Sequence, residues 1–241
     1  MQKQLKSSTV NVRGVEFKLM TYTRSLELCS RMNYETENLD FIDEIPVNDV
    51  LYDLGACEGR FSIYAAKMGV RVYAFEPEKK NFSVLGQNID LNFKSKDNIT
   101  IYNYGVGKYD SNAIIKIGQP WEGGHQKVVE HDEIRSDLSF NFVEKQDIKL
   151  VSIDSMIKKG ECLPPNYLKI DIDGSEMPFI EGAIETLNSD LLKGIIFELC
   201  ITDPNFEEII SMLEKFGFYE DSKFLIPNEP NLFNFIFHKK K

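Results

Sequence analysis

From residue 50 onward, short apolar runs alternate with segments whose apolar positions recur at helical spacing. Residues 50–54 read as a buried strand. Phe61, Tyr64, Ala65 and Met68 predict a helix over 58–68, with Gly69 at its C-terminal cap. Residues 70–75 predict the next strand; Pro77 breaks it and opens a helix to about Leu91, with Phe82, Leu85 and Ile89 on one face. Further strands are predicted over 99–106, 148–153, 167–170 and 194–199, with helices over 154–158, 176–187 and 206–216. The last two strands, 218–225 and 232–237, lie close enough in sequence for an antiparallel hairpin.

Strands alternating with helices of this length predict an α/β fold: a mostly parallel, doubly wound sheet covered on both faces, made mixed by the final hairpin. Residues 47–241 form the predicted core domain. Residues 1–46 form an extension that caps it, with a strand or hairpin over 10–20 and an amphipathic helix around 25–32. Residues 118–147 break the rhythm: they are polar and carry Trp121, Gly123-Gly124, His125 and His131. A long irregular insertion in a compact domain is a functional lid or a disordered loop.

Composition narrows the function. The chain has 241 residues with 38 acids against 28 bases, a formal net charge of −10. That balance opposes general nucleic-acid binding, which needs a concentrated basic surface. Cys29, Cys57, Cys162 and Cys200 form no close pair of the metal or redox kind, and scattered thiols fit a reducing compartment. The first ten residues carry no apolar signal core, and no apolar run approaches the roughly 20 residues of a membrane span. A cytoplasmic location is expected, and the Asn98-Ile99-Thr100 sequon is read as accidental.

Three motifs carry chemistry. Asp53-Leu54-Gly55-Ala56-Cys57-Glu58-Gly59 lies between the first core strand and its helix. Gly55 permits a sharp turn and Gly59 a close approach of the helix. The spacing is neither the dinucleotide fingerprint nor a P-loop. A wider loop behind an acid suits a ligand with a nucleoside end and an amino-acid end but no pyrophosphate, which describes S-adenosylmethionine. Glu76 ends the second strand 21 residues after Gly55, where an acid accepts both ribose hydroxyls in nucleoside-binding βαβ units. Lys169-Ile170-Asp171-Ile172-Asp173-Gly174-Ser175-Glu176 sends three carboxylates from the end of a core strand, well placed for a cationic sulfonium. Asp173 and Glu176 also read as an acidic capping box that opens the next helix.

Together these motifs resemble the FkbM-type family of S-adenosylmethionine-dependent methyltransferases, mainly O-methyltransferases. The resemblance rests on residues 53–59, on Ala74-Phe75-Glu76-Pro77 with Asn88 after it, on Asn103-Tyr104-Gly105-Val106-Gly107, on residues 169–176 and on Ile195-Ile196-Phe197-Glu198. Cys57 stands where the family has Asn, Gly105 where it has Ala, and Asp173 where it has Glu. The resemblance implies a Rossmann-like class I methyltransferase fold. It places Asp53, Gly55, Ala56 and Gly59 near the methionine end of the cofactor and Glu76 and Pro77 at the ribose. Asn103 and Val106 would lie near the adenine, and Asp171 near the transferable methyl.

Methyl transfer is mostly an alignment problem, and a hydroxyl acceptor also needs a base. Asp171, Asp173 and His125 are the expected candidates, His125 arriving on the 118–147 lid, where Trp121 either stacks on the acceptor or anchors the segment. The expected acceptor is a hydroxyl on a small molecule or a glycan, with no metal and no nucleic acid. Three other readings compete: an NAD-type Rossmann oxidoreductase, a glycosyltransferase using Asp171-Ile172-Asp173 as a D-x-D metal motif, and a non-catalytic methyltransferase-like binding subunit.

Overall fold

The computed structural model describes residues 6–95, 98–130 and 141–240. An N-terminal hairpin of β1 (Ser7–Val12) and β2 (Val15–Met20) turns at Arg13-Gly14, both at positive φ. Two short helices follow. In α1 (Arg24–Cys29), Thr23 caps the first turn by accepting from the Leu26 N–H; α2 (Thr36–Asp43) was not predicted by the periodicity.

The core opens with β3 (Val50–Leu54), α3 (Arg60–Lys67), β4 (Arg71–Phe75), α4 (Lys79–Asn92) and β5 (Ile99–Tyr102). Helix α4 begins at Lys79 and not at Pro77, because the Glu78 carboxylate accepts from the N–H groups of Lys80 and Asn81 and is the N-cap. The single strand predicted over 99–106 is two. The Asn103 side-chain amide turns back to donate to the carbonyls of Glu76 (2.8 Å) and Pro77 (3.0 Å), and β6 (Gly105–Val106) leaves for another sheet. That second, four-stranded sheet adds β7 (Ser111–Ile117), β8 (Lys127–Val129) and β9 (Glu144–Val151), in the order β6-β9-β7-β8. Its strands β8 and β9 take in residues 127–129 and 144–147 of the predicted 118–147 insertion; residues 131–140, His131 among them, lie outside the described residues.

The chain continues through α5 (Ile153–Lys158), β10 (Tyr167–Ile170), α6 (Glu176–Gly182), α7 (Ile184–Asn188), β11 (Gly194–Cys200), α8 (Phe206–Lys215), β12 (Phe218–Leu225) and β13 (Leu232–Lys239). The helix predicted over 176–187 breaks at Ala183, since its backbone groups find other partners. Ser152 Oγ donates to the Gly182 carbonyl at 2.7 Å, and the Asp154 carboxylate accepts from the N–H groups of Glu185 and Thr186.

The main sheet runs β12-β13-β11-β10-β3-β4-β5, parallel from β11 through β5 and antiparallel across the final hairpin, as expected. Counting only its strands along the chain, the order is 3-2-1-4-5-7-6. Residues on β3 alternate between two layers. Tyr52 and Leu54 pack with Phe179, Phe197 and Phe235, while Leu51 packs with Ile63 and Tyr64 of α3 and with Phe17 and Phe41 of the N-terminal segment. Residues 10–45 therefore complete one of the two hydrophobic layers. Among the described residues, no helix is long and apolar enough to cross a membrane.

Candidate functional site

The strand order reverses direction between β3 and β10, and the crevice beyond their C-terminal ends is where ligands bind in such sheets. Here the first and last motifs meet. Gly55, at φ +84, turns away from β3 so tightly that a Cβ on it would lie 1.8 Å from the Asp171 carbonyl oxygen. The N–H groups of Gly55 and Ala56 both donate to the Phe75 carbonyl (3.0 and 2.9 Å), drawing the loop across to the end of β4. Gly59, also left-handed, is the N-cap of α3, and a Cβ there would strike Leu85 of α4 at 2.2 Å.

Glu76 closes β4 under this loop. Its Oε2 accepts from the Cys57 N–H at 2.9 Å and its Oε1 from the Glu78 N–H at 2.8 Å. Burial pushes its carboxyl up to about 7, against the opposing influence of Lys127 and the two N–H donors. Cys57 sits at φ +50, a backbone conformation in which Asn is enriched, which gives the family's Asn at this position a conformational reason. Asn88, buried in α4, donates to the Glu58 carbonyl and accepts from the Met20 N–H, pinning the loop to the N-terminal hairpin. Of the residues assigned to the adenine end, Asn103 lies against Glu76 and Pro77, while Val106 is buried in the hydrophobic layer that includes Phe179.

Asp53 and Lys169 are buried register partners on β3 and β10, with Nζ 3.5 Å from Asp53 Oδ1 and 3.5 Å from Asp171 Oδ2. Burial acts to lower the Lys169 ammonium, but Asp53 and Asp171 prevail and raise it. Ser62 of α3 donates to the other Asp53 oxygen at 2.5 Å. The capping box expected at Asp173 is not formed. Ser175 occupies the N-cap position without a side-chain cap bond, and Glu176 Oε1 reaches back to accept from the Gly174 N–H at 3.0 Å.

Several residues of this end carry no motif. Arg60 is buried between the rings of Tyr34 and Phe61, and its guanidinium pairs with Glu35 (2.6 Å) and Glu58 (3.0 Å). Burial works to raise the Glu58 carboxyl; Arg60 prevails and holds it below its ordinary value. Glu198 lies near the C-terminal end of β11, level with Asp171. It belonged to a matched motif, but only the strand register reveals its neighbours.

The 118–126 turn docks over the glycine loop. Asn81 Nδ2 donates to Cys57 Sγ (3.1 Å) and to the Gly124 carbonyl (3.2 Å), and its Oδ1 accepts from the Gly123 N–H (2.9 Å). Thr23 Oγ1 donates to the Glu122 carbonyl, and the Trp121 indole N–H donates to Ser25 Oγ at 2.9 Å. Trp121 thus anchors the segment. His125 is exposed on the turn, at the Cys57 side of the site, its N–H donating to Gln119 Oε1. Among the described residues, no group of His, Cys, Asp and Glu is arranged to hold a metal ion.

The order of the sheet and the glycine loop at its switch point are those of a Rossmann-like class I methyltransferase. Within that class the chain belongs to the FkbM family, for its sequence matches the methyltransferase FkbM domain over residues 53–219. It is 25% identical over 186 residues to Methyltransferase 1 of Beauveria bassiana, covering 72% of this chain and 73% of that one. It is 24% identical over 148 residues to the hexuronic acid methyltransferase AglP of Haloferax volcanii, covering 61% of this chain and 55% of that one. The crystal structure of methyltransferase FkbM from Methylobacillus flagellatus superposes with a TM-score of 0.52 at 17% identity, over 81% of this chain and 45% of that one. The chain thus spans about half the length of the last two.

Proposed function

We propose that the protein is an S-adenosylmethionine-dependent O-methyltransferase acting on a hydroxyl of a small molecule or glycan. The observation that carries the cofactor reading is the buried Glu76 under the glycine loop. Each of its oxygens takes one backbone N–H, and burial leaves the carboxylate short of donors. Paired ribose hydroxyls supply donors of that kind. At the other end, Glu58 Oε2 is buried without a hydrogen bond among the described residues, and Asp53 Oδ1 has only the 3.5 Å ion pair with Lys169, which leaves room for a ligand bearing cationic groups. Both ends therefore fit the cofactor. S-adenosylmethionine supplies an electrophilic methyl group on a sulfonium sulfur.

The chain's own residues divide the remaining work. Gly55, Ala56 and Gly59 shape the loop, Glu76 and Pro77 hold the ribose, and Asn103 and Val106 bound the adenine end. Asp53, fixed by Ser62 and Lys169, and Asp171, fixed by Lys169, face the methionine end and the methyl. Asp171, Asp173 and His125 are the residues proposed to serve the acceptor hydroxyl. Residues 1–46 act as the cap of the core at 47–241, and the insertion at 118–147 as a lid that excludes water. The sugar acceptor draws support from AglP, whose name records a hexuronic acid substrate. The four free cysteines agree with a cytoplasmic setting.

Family membership sets aside the oxidoreductase and glycosyltransferase readings, and turnover separates an enzyme from a binding subunit. Calorimetry with S-adenosylmethionine and S-adenosylhomocysteine tests the cofactor. Glu76→Ala should weaken binding by about 1.5–3 kcal/mol, the worth of a charge-assisted hydrogen bond. Absence of binding to the wild type overturns the reading. Formation of S-adenosylhomocysteine across a panel of neutral and acidic sugars then tests the acceptor.

A further inference from the structure

Glu198 is the one carboxylate at the strand ends that the reading above leaves without work. Along β11, Ile195, Phe197 and Leu199 face the layer of α5 to α8, so Ile196 and Glu198 face the opposite side, toward α3 and the N-terminal segment. The register pairs Ile170 with Phe197, which sets Glu198 level with Asp171 and on the same face as Lys169. On its other flank Glu198 is the register partner of Asn234, whose amide donates to Glu37 Oε1 of α2 at 2.7 Å.

Among the described residues, the carboxylates around Glu198 outnumber the cations even with Asp173 left out of the count. Asp171, Asp173 and Lys169 come from β10 and its end, Glu35 and Glu37 from the start of α2, and Arg60 from α3. Among the described residues, each of these two cations is already divided between two carboxylates: Lys169 between Asp53 and Asp171, and Arg60 between Glu58 and Glu35. The Glu198 carboxylate has no hydrogen bond or ion pair among the described residues, and the residue is only partly buried, at the level of Asp171. Burial, then Asp171 and Asp173, push its carboxyl well above the ordinary range. A base of raised proton affinity is a better proton acceptor at neutral pH, provided something ionises it at the right moment.

We propose that Glu198 takes the proton of the acceptor hydroxyl, and that the positive charge of the bound cofactor is what ionises it beforehand. The inference rests on the cofactor reading above. In the free protein Glu198 holds a proton because the strand ends already carry excess negative charge. A cation at the ends of β3 and β10 offsets that charge and expels the proton to solvent. During transfer the acceptor oxygen bonds the methyl carbon while the carbon–sulfur bond breaks, its electron pair staying on sulfur. The hydroxyl proton passes to the Glu198 carboxylate. The product cofactor is a neutral thioether, so the charge that ionised Glu198 has gone and the proton stays. Asp171, Asp173 and Lys169 act through Glu198 as positioning residues that set its proton affinity.

The sulfonium is the only charge that distinguishes S-adenosylmethionine from S-adenosylhomocysteine, so the pair isolates the effect. Near neutral pH, titration calorimetry of the full chain in phosphate and in Tris, whose ionisation enthalpies differ, counts the protons released by each ligand. The wild type should release more protons on binding S-adenosylmethionine than on binding S-adenosylhomocysteine. Glu198→Gln should lose that excess while still binding S-adenosylhomocysteine, which shows its site is folded. Glu198→Asp should retain it. Equal release by the two ligands in the wild type, or an excess that survives in Glu198→Gln, overturns the inference and leaves the cofactor reading standing. Failure of the wild type to bind either ligand overturns the cofactor reading itself. Should Glu198→Gln not fold, Asp171→Asn replaces it: removing that neighbouring charge should shrink the excess, and an unchanged excess overturns the inference.

Discussion

Gly55 and Asp171 touch backbone to backbone: a Cβ on the glycine would lie 1.8 Å from the aspartate's carbonyl oxygen, and the Asp171 N–H donates to the carbonyl of Leu54 at 3.0 Å. The contact joins the ends of β3 and β10, and it makes the glycine a requirement of the fold as well as of any ligand. Gly55→Ala should therefore cost about 2–5 kcal/mol, combining left-handed strain with overpacking against a backbone that cannot yield. Gly160 is the control. It is also at positive φ (+73), but a Cβ there would meet nothing within 4 Å, so Gly160→Ala should cost only about 1–2 kcal/mol of strain. Thermal unfolding of the two variants checks the contrast, and equal losses would refute it.

Glu76 should make cofactor affinity depend on pH. Burial pushes its carboxyl up to about 7 in the free protein, and in the proposed function the carboxylate form binds the ribose hydroxyls. Below pH 7 the ligand must displace a proton, so affinity should fall up to about tenfold per pH unit on that side and level off above it. Stability of the free protein should move the other way. An acid raised from 4.5 to about 7 on folding favours the folded state while protonated. Its contribution is lost as pH rises from about 4.5 to about 7, by about 3 kcal/mol in total. Calorimetry of S-adenosylhomocysteine binding from pH 6 to 8 on wild type and Glu76→Gln checks the first claim, since that ligand lacks the charge proposed to ionise Glu198; a pH slope retained by Glu76→Gln would count against it.

Much of this site was legible in the sequence, because its signals are local. Gly55 and Glu76 follow strand ends that the apolar runs mark, Gly59 opens the helix whose periodicity begins at Phe61, and the final hairpin follows from two short runs with few residues between them. What stayed hidden depends on distant partners. The break at Ala183 exists because Ser152 and Asp154 capture backbone groups 30 or more residues away. The split at Asn103 depends on the carbonyls of Glu76 and Pro77. Glu198 looks like one more strand-end acid until the register sets it beside Asp171. Arg60 and Glu35 meet across 25 residues, and no periodicity encodes that pairing.

Lys169 holds two carboxylates apart in a nearly water-free setting, its side chain only 5% exposed. Lys169→Met keeps the volume and removes the charge, leaving Asp53 and Asp171 facing each other. Breaking a buried pair from one side costs about 3–5 kcal/mol, so the melting temperature should fall by roughly 6–20 °C for a domain of this size. Adding Asp53→Asn should recover part of the loss, since the residual penalty is an uncompensated carboxylate. A double variant no more stable than Lys169→Met would show that Lys169 acts through packing instead.

Asn81 should decide whether the 118–126 turn stays seated over the glycine loop. Its side chain is buried, and it is the shared partner of Cys57, Gly123 and Gly124. Asn81→Ala leaves the Gly123 N–H and the Gly124 carbonyl without those bonds, a loss of about 1–3 kcal/mol that falls mainly on the turn. Trp121→Phe removes only the indole bond to Ser25 at a half-exposed ring and should cost less. Hydrogen exchange resolves the two cases. Amides of 118–126 should lose protection strongly in Asn81→Ala and weakly in Trp121→Phe, with the strands β3 and β10 unchanged in both. Protection of the turn that survives Asn81→Ala would mean that Thr23 and Lys80, which bond the carbonyls of Glu122 and Pro120, suffice to hold it.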